Sequence, residues 1–213
     1  MIFTKDKITK EEINEMPVES FGGTINMVET EADADKALKT ISEYDIVGID
    51  TETRPSFKKG QTNKVSLLQI STEDTCWLFR LNKIGYPDSL VRFFEDSRIL
   101  KIGLSLKDDF RSLHKCMGFN PEGYIELQNF AGNFGITEKS LQKIYAIIFG
   151  KKISKSQRLT NWNATQLTER QKTYAATDAW ACLKIYEKLT GEDESPANPE
   201  RLTLKQQTNN NVS

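Results

Sequence analysis

Asp50 and Glu52 stand one residue apart at the end of an apolar run, DIVGIDTET. If that run is a strand, its side chains alternate between faces, so both carboxylates project to the same side, one pleat apart. Neighbouring carboxylates repel unless a cation lies between them, which makes the pair a candidate set of metal ligands. Alone the pattern says little, because a strand leaving the core for solvent ends in acids for ordinary reasons.

A second group sits towards the end of the chain. Thr168 with Gln171 three residues later is a capping-box pattern, and it starts a helix near Glu169. Counted from Tyr174, the residues Asp178, Ala181, Cys182, Ile185 and Leu189 follow at 4, 7, 8, 11 and 15 positions, a single stripe. Asp178 therefore lies on the face that should be buried. An ionised carboxylate there is costly unless it is paired or holds a metal, and no Lys or Arg shares the stripe. The plainer reading is an Asp at the core edge bonded to backbone. Tyr174, one turn away, projects beside it.

In LKDDFRSLHKCM two adjacent acids compete. Asp109 shares a stripe with Leu106, Leu113 and Cys116, whereas Asp108 falls with Arg111, Ser112 and Lys115 on the wetter side. Asp109 is therefore taken as the inward carboxylate. Four inward acids from three segments, all oxygen donors, suit a hard divalent cation such as Mg²⁺ or Mn²⁺. His114 is the single histidine, which argues against histidine triads and histidine-rich zinc sites. Two hard cations about 3.5 to 4 Å apart suit in-line displacement at a phosphodiester.

Three separated segments must be brought together by a scaffold. GGTINMV, DIVGIDTET, KVSLLQIS, CWLFRL and RILKIGLS read as strands. ETEADADKALKTISEY, DSLVRFFED, LKDDFRSLHKCM, KSLQKIYAIIFG and LTERQKTYAATDAWACLKIYEKL read as helices. Strands early and helices interleaved later predict a three-layer α/β domain around a mixed sheet. Residues 1–22 are a surface lead-in with two apolar anchors, Ile8 and Ile13; residues 23–190 form the domain; residues 191–213, polar and low in apolar content, form a disordered tail.

Composition sets limits. The 213 residues, 38% hydrophobic and 28% charged, suit one globular domain. A net charge of −1 and a pI near 6.0 exclude a strongly basic surface, so any nucleic-acid binding must be local. Cys76, Cys116 and Cys182 lack CxxC spacing, which suggests neither a disulfide framework nor a zinc knuckle. With no signal-like leader and no apolar run approaching the ~18 residues of a membrane span, a soluble cytoplasmic protein is expected.

From about Asp45 to Leu189 the chain resembles the DEDD exonucleases, in the tyrosine-bearing subgroup (DEDDy) that includes ribonuclease D and the exonuclease domain of Werner syndrome protein. The likeness is carried by IVGIDTET with KVSLLQI, by KIGLSLKDDFRSL, and most specifically by LTNWNATQLTERQKTYAATDAW. It implies a ribonuclease H-like fold and a 3′-5′ exonuclease with two Mg²⁺ or Mn²⁺ ions. Asp50 and Glu52 would bind metal, Asp50 bridging both ions, Asp178 would complete the first site, Asp109 would bind the second ion in part through water, and Tyr174 would orient the attacking water. Much of the family carries an asparagine shortly before the Asp of the second motif; Leu104 and Ser105 stand there here, as in the Werner-type branch.

The substrate implied is the 3′ end of DNA or RNA, with a lean towards DNA. Its phosphates need local cations, and two stretches offer them: Arg54, Lys58, Lys59 and Lys64, and Lys151, Lys152, Lys155 and Arg158. Lys155 and Arg158 are the first choice, because the resemblance sets that loop near the scissile phosphate. Thr51 is a further candidate contact. Trp162 either packs against the last helix or stacks on a base, and it too is carried as a candidate substrate residue. Two other classes compete: a catalytically silent nucleic-acid-binding module on the same fold, and a glycoside hydrolase, which needs two acids and no metal.

Overall fold

The computed structural model describes residues 2–56 and 62–191. Lys58, Lys59 and the expected tail beyond Gly191 lie outside the described residues. In chain order the elements are α1 (Lys10–Asn14), β1 (Thr24–Val28), α2 (Glu31–Ile41), β2 (Ile46–Thr53), β3 (Val65–Ser71), β4 (Thr75–Phe79), α3 (Leu81–Ile84), α4 (Asp88–Glu95), β5 (Leu100–Gly103), α5 (Leu106–His114), β6 (Tyr124–Glu126), α6 (Leu127–Gly132), α7 (Leu141–Phe149) and α8 (Glu169–Thr190). The six strands form one sheet in the order β1-β4-β3-β2-β5-β6. β2 pairs antiparallel with β3, and β3 with β4; the other pairings are parallel. This is the mixed sheet that the strand pattern predicts.

Alternation along β2 decides which layer each residue serves. Val47 and Ile49 join one apolar cluster with residues of α2, α4 and α5. The opposite face carries Gly48, Asp50 and Glu52 and meets α8. α8 and α7 pack there with α6 over Leu100, Ile102 and Ile125, while Leu67, Cys76 and Leu78 meet the first half of α8. α8 is fixed at its start by the expected capping box: the Thr168 hydroxyl accepts from the Gln171 N–H at 3.2 Å, and the Gln171 side chain accepts from the Thr168 N–H at 3.0 Å. At Gly48 the helix lies so close that a Cβ would overlap the Ala179 carbonyl.

Residues 2–22 are more than a surface lead-in. Ile8 and Ile13 are buried with Ala146 of α7, because two isolated apolar side chains lower their free energy by finding a shared groove. Glu19 binds Lys151 at 2.6 Å and accepts from the Tyr145 hydroxyl at 2.6 Å. The Phe21 N–H donates to the Thr177 hydroxyl at 3.0 Å, one residue from Asp178. The segment is a strap across α7 and α8. The sequence reading also omits β6 and α6, whose strand is three residues long.

Gly48→Ala should lower the unfolding free energy by about 3 kcal/mol, measured by urea titration, since the added methyl would run into the Ala179 carbonyl and the Leu183 Cβ of α8. A change below about 1 kcal/mol would mean that the strand and helix are not held in this contact.

Candidate active site

The site forms where β2 runs out under α8. Asp50, Glu52 and Asp178 each place a carboxylate oxygen within 4.8 Å of the others. Glu52 and Asp178 are only 8% and 9% exposed, so the charges face one another with little water between them. Burial, and then the neighbouring acids, push Asp50 well above the usual carboxylate range. The same causes bring Glu52 up to about 9. Asp178 is pushed up to about 7 by burial, against the opposing pull of the Tyr174 hydroxyl and of Lys155.

Asp109 approaches from the other layer. α5 packs on the opposite side of the sheet from α8, and the Thr51 hydroxyl, which alternation puts on that side, donates to Asp109. Asp109 therefore stands apart from the close trio, yet its charge still disfavours ionisation of Asp50 and Glu52. Burial brings Asp109 itself up to about 7, with the Thr51 hydroxyl opposing and Glu126 adding to the rise. Thr51, a candidate substrate contact, thus also braces an acid with its hydroxyl.

Glu126 was not singled out from the sequence. It ends β6, accepts from the Ser105 N–H at 2.8 Å, and caps α6 by accepting from the Gln128 N–H at 3.3 Å. Ser105 sets the start of α5 with φ of 65°, in the left-handed region where asparagine is favoured over most residues. An acid ending a three-residue strand was the available signal, too short to register.

Tyr174 is 7% exposed and its hydroxyl hydrogen-bonds to Asp178. Burial, reinforced by Asp178, holds the phenol well above its ordinary range, so it stays neutral. The Trp162 ring packs on Tyr174 with centroids 6.0 Å apart, and Trp162 is 0% exposed. Of the two readings of Trp162 this is the packing one; its place among the candidate substrate residues is corrected, because a ring enclosed on all sides has no face for a base. The loop carrying it is tied down by the Gln171 amide, which donates to the Thr160 hydroxyl at 3.1 Å, and by Arg80, which donates to the Ala164 carbonyl.

The basic stretch before Trp162 divides in two. Lys151 is paired with Glu19, and Lys152 donates to the Asn14 carbonyl at 2.6 Å, so both anchor the N-terminal strap. Lys155 and Arg158 remain exposed at the acids: Lys155 favours ionised Asp178, and Arg158 favours ionised Glu52. Across the site, Arg54, Lys64 and Lys115 line a cleft with Thr53.

Folding buries these carboxylates and sets several of them in one another's fields, so the folded chain keeps protons that the unfolded chain has released. The interval runs from ordinary values of 3.8 and 4.5 to folded values of about 7 and about 9. Unfolding free energy must therefore fall as pH rises through it. With a chelator present, the thermal midpoint should drop from about pH 5 to about pH 9, and Asp178→Asn should flatten that slope. A slope unaltered by Asp178→Asn would contradict the crowded, charged trio.

A model of the 3′-5′ exonuclease family matches residues 25–193. The bifunctional 3′-5′ exonuclease/ATP-dependent helicase WRN of Mus musculus is 35% identical over 155 residues, covering 70% of this chain and 11% of the mouse protein. A 3′-5′ exonuclease of Arabidopsis thaliana is 31% identical over 189 residues, 81% of this chain and 66% of that one. The chain thus spans a small part of the first relative and just under two thirds of the second. The crystal structure of the Aedes aegypti Nibbler EXO domain superposes with a TM-score of 0.72 at 20% identity, covering 82% of this chain and 92% of that one. At that identity the likeness is one of fold, and the fold is the ribonuclease H-like sheet. By the family match over most of its length, the chain belongs to the 3′-5′ exonuclease family.

Proposed function

We propose that this chain is a two-metal 3′-5′ exonuclease that releases nucleoside monophosphates from the 3′ end of DNA or RNA. The observation that carries the reading is the close trio Asp50, Glu52 and Asp178, partly to fully buried, with the Tyr174 hydroxyl on Asp178. All of its donors are carboxylate oxygens, which fits Mg²⁺ or Mn²⁺. Asp50, Glu52, Asp109 and Asp178 would hold the ions, Asp50 being the member of the trio that also serves the ion held by Asp109. When bound, such ions acidify a water and stabilise oxygens that gain charge as the phosphodiester bond breaks.

The remaining work falls to the chain's own groups. Tyr174, kept neutral, orients the attacking water through its oxygen and does not act as a base. Lys155 and Arg158, exposed beside the acids, bind the phosphate whose bond is cut. Arg54, Lys64 and Lys115 carry the strand away from the site along their cleft. A balanced overall charge is compatible with this, because the cations are concentrated at the two rims of the acid cluster.

An oligonucleotide labelled at its 5′ end and incubated with Mg²⁺ should give a ladder of stepwise shortening. Chelator or Asp50→Ala should abolish the ladder, and Tyr174→Phe should lower kcat by about a hundredfold while KM changes little. Binding without shortening would instead identify a silent nucleic-acid-binding module.

A further inference from the structure

We propose that Gln69 is a positioning residue of the metal centre, its buried amide turning to donate to the Asp50 carboxylate when a divalent ion is bound and so fixing the orientation in which Asp50 meets that ion. Gln69 lies in the middle of β3, a strand buried along its whole length, and is 0% exposed. Neither its Nε2 nor its Oε1 meets a hydrogen-bond partner among the described residues. A buried amide left in that condition lowers stability, and leucine or methionine would fill the same space without the cost. Such a residue calls for a use.

The pairing of β2 with β3 indicates which. Gln69 lies directly opposite Asp50, and opposed residues of an antiparallel pair share a face with their Cβ atoms about 5 Å apart. Ser71, two residues on, has its hydroxyl engaged with the Thr72 carbonyl; the other neighbours on that face are Leu67, two residues back, and Leu78, paired with it from β4. Both belong to the apolar cluster that α8 closes with Ala175 and Ala176. Asp50 is the acceptor on the facing strand. A carboxylate surrounded by other acids needs a donor on its outer oxygen if it is to hold one orientation, and a partner of that kind is worth about 10- to 100-fold in metal affinity. Glutamine supplies that donor without adding a positive charge that would compete with the cation.

The inference rests on the metal-binding reading above, and the experiment separates the two. Mn²⁺ affinity, by isothermal titration, and the thermal midpoint in chelator are measured for the unaltered chain, Gln69→Leu and Gln69→Met. Mn²⁺ binding at least about tenfold weaker in the variants, with a chelated midpoint equal to or above that of the unaltered chain, is the expected pattern. It is the opposite of what loss of a structural contact produces. Unchanged Mn²⁺ affinity in either folded variant would overturn the role of Gln69 and leave the metal centre standing. Weaker binding with a lowered midpoint would make Gln69 an ordinary packing residue. Failure of the unaltered chain to bind Mn²⁺ would remove the metal reading itself.

Discussion

Like charges gathered in a poorly hydrated place govern this molecule. Asp50, Glu52 and Asp178 are held within 4.8 Å of one another, and Asp109 adds its field from across the sheet. Left to themselves such groups answer by retaining protons, which is the direction in which all four are displaced. A fold that maintains the cluster gives up stability at neutral pH, and the loss is offset when a counter-charge enters. The same electrostatics that burdens the free protein makes the site selective for small, hard, multiply charged ions.

The scaffold is arranged to prevent escape. The trio would relax if α8 rose from the sheet, but the contact of Gly48 with Ala179 leaves no room for a methyl group between them. The N-terminal strap holds the same helix at Thr177, the residue before Asp178. Asp109 cannot swing away because Thr51, on the far face of the strand that carries Asp50, donates to it. One strand thus presents acids to α8 on one face and braces the acid of α5 on the other. β2 is the element through which both helical layers reach the site.

Much of this was legible in the sequence, for reasons of periodicity. The two-residue repeat of DIVGIDTET put Asp50 and Glu52 on one face, and the 3.6-residue stripe through Tyr174, Asp178 and Cys182 put a carboxylate where burial was required. The choice of Asp109 over Asp108 came from the same stripe, and Asp108 indeed faces solvent, paired with Arg111 at 3.0 Å. What escaped was set by contacts distant in sequence. Lys151 and Lys152 read like Lys155 until the N-terminal strap occupies them. Glu126 and Gln69 sit in strands whose neighbours, not their own residues, give them meaning. No local pattern encodes such pairings.

The most direct test of cation-neutralised acids is the anomalous scattering of a crystal grown with Mn²⁺ and a nucleoside monophosphate. Two peaks about 4 Å apart are predicted, one among Asp50, Glu52 and Asp178 and the other between Asp50 and Asp109. Density showing these carboxylates bonded to one another through shared protons, with no anomalous peak between them, would contradict it.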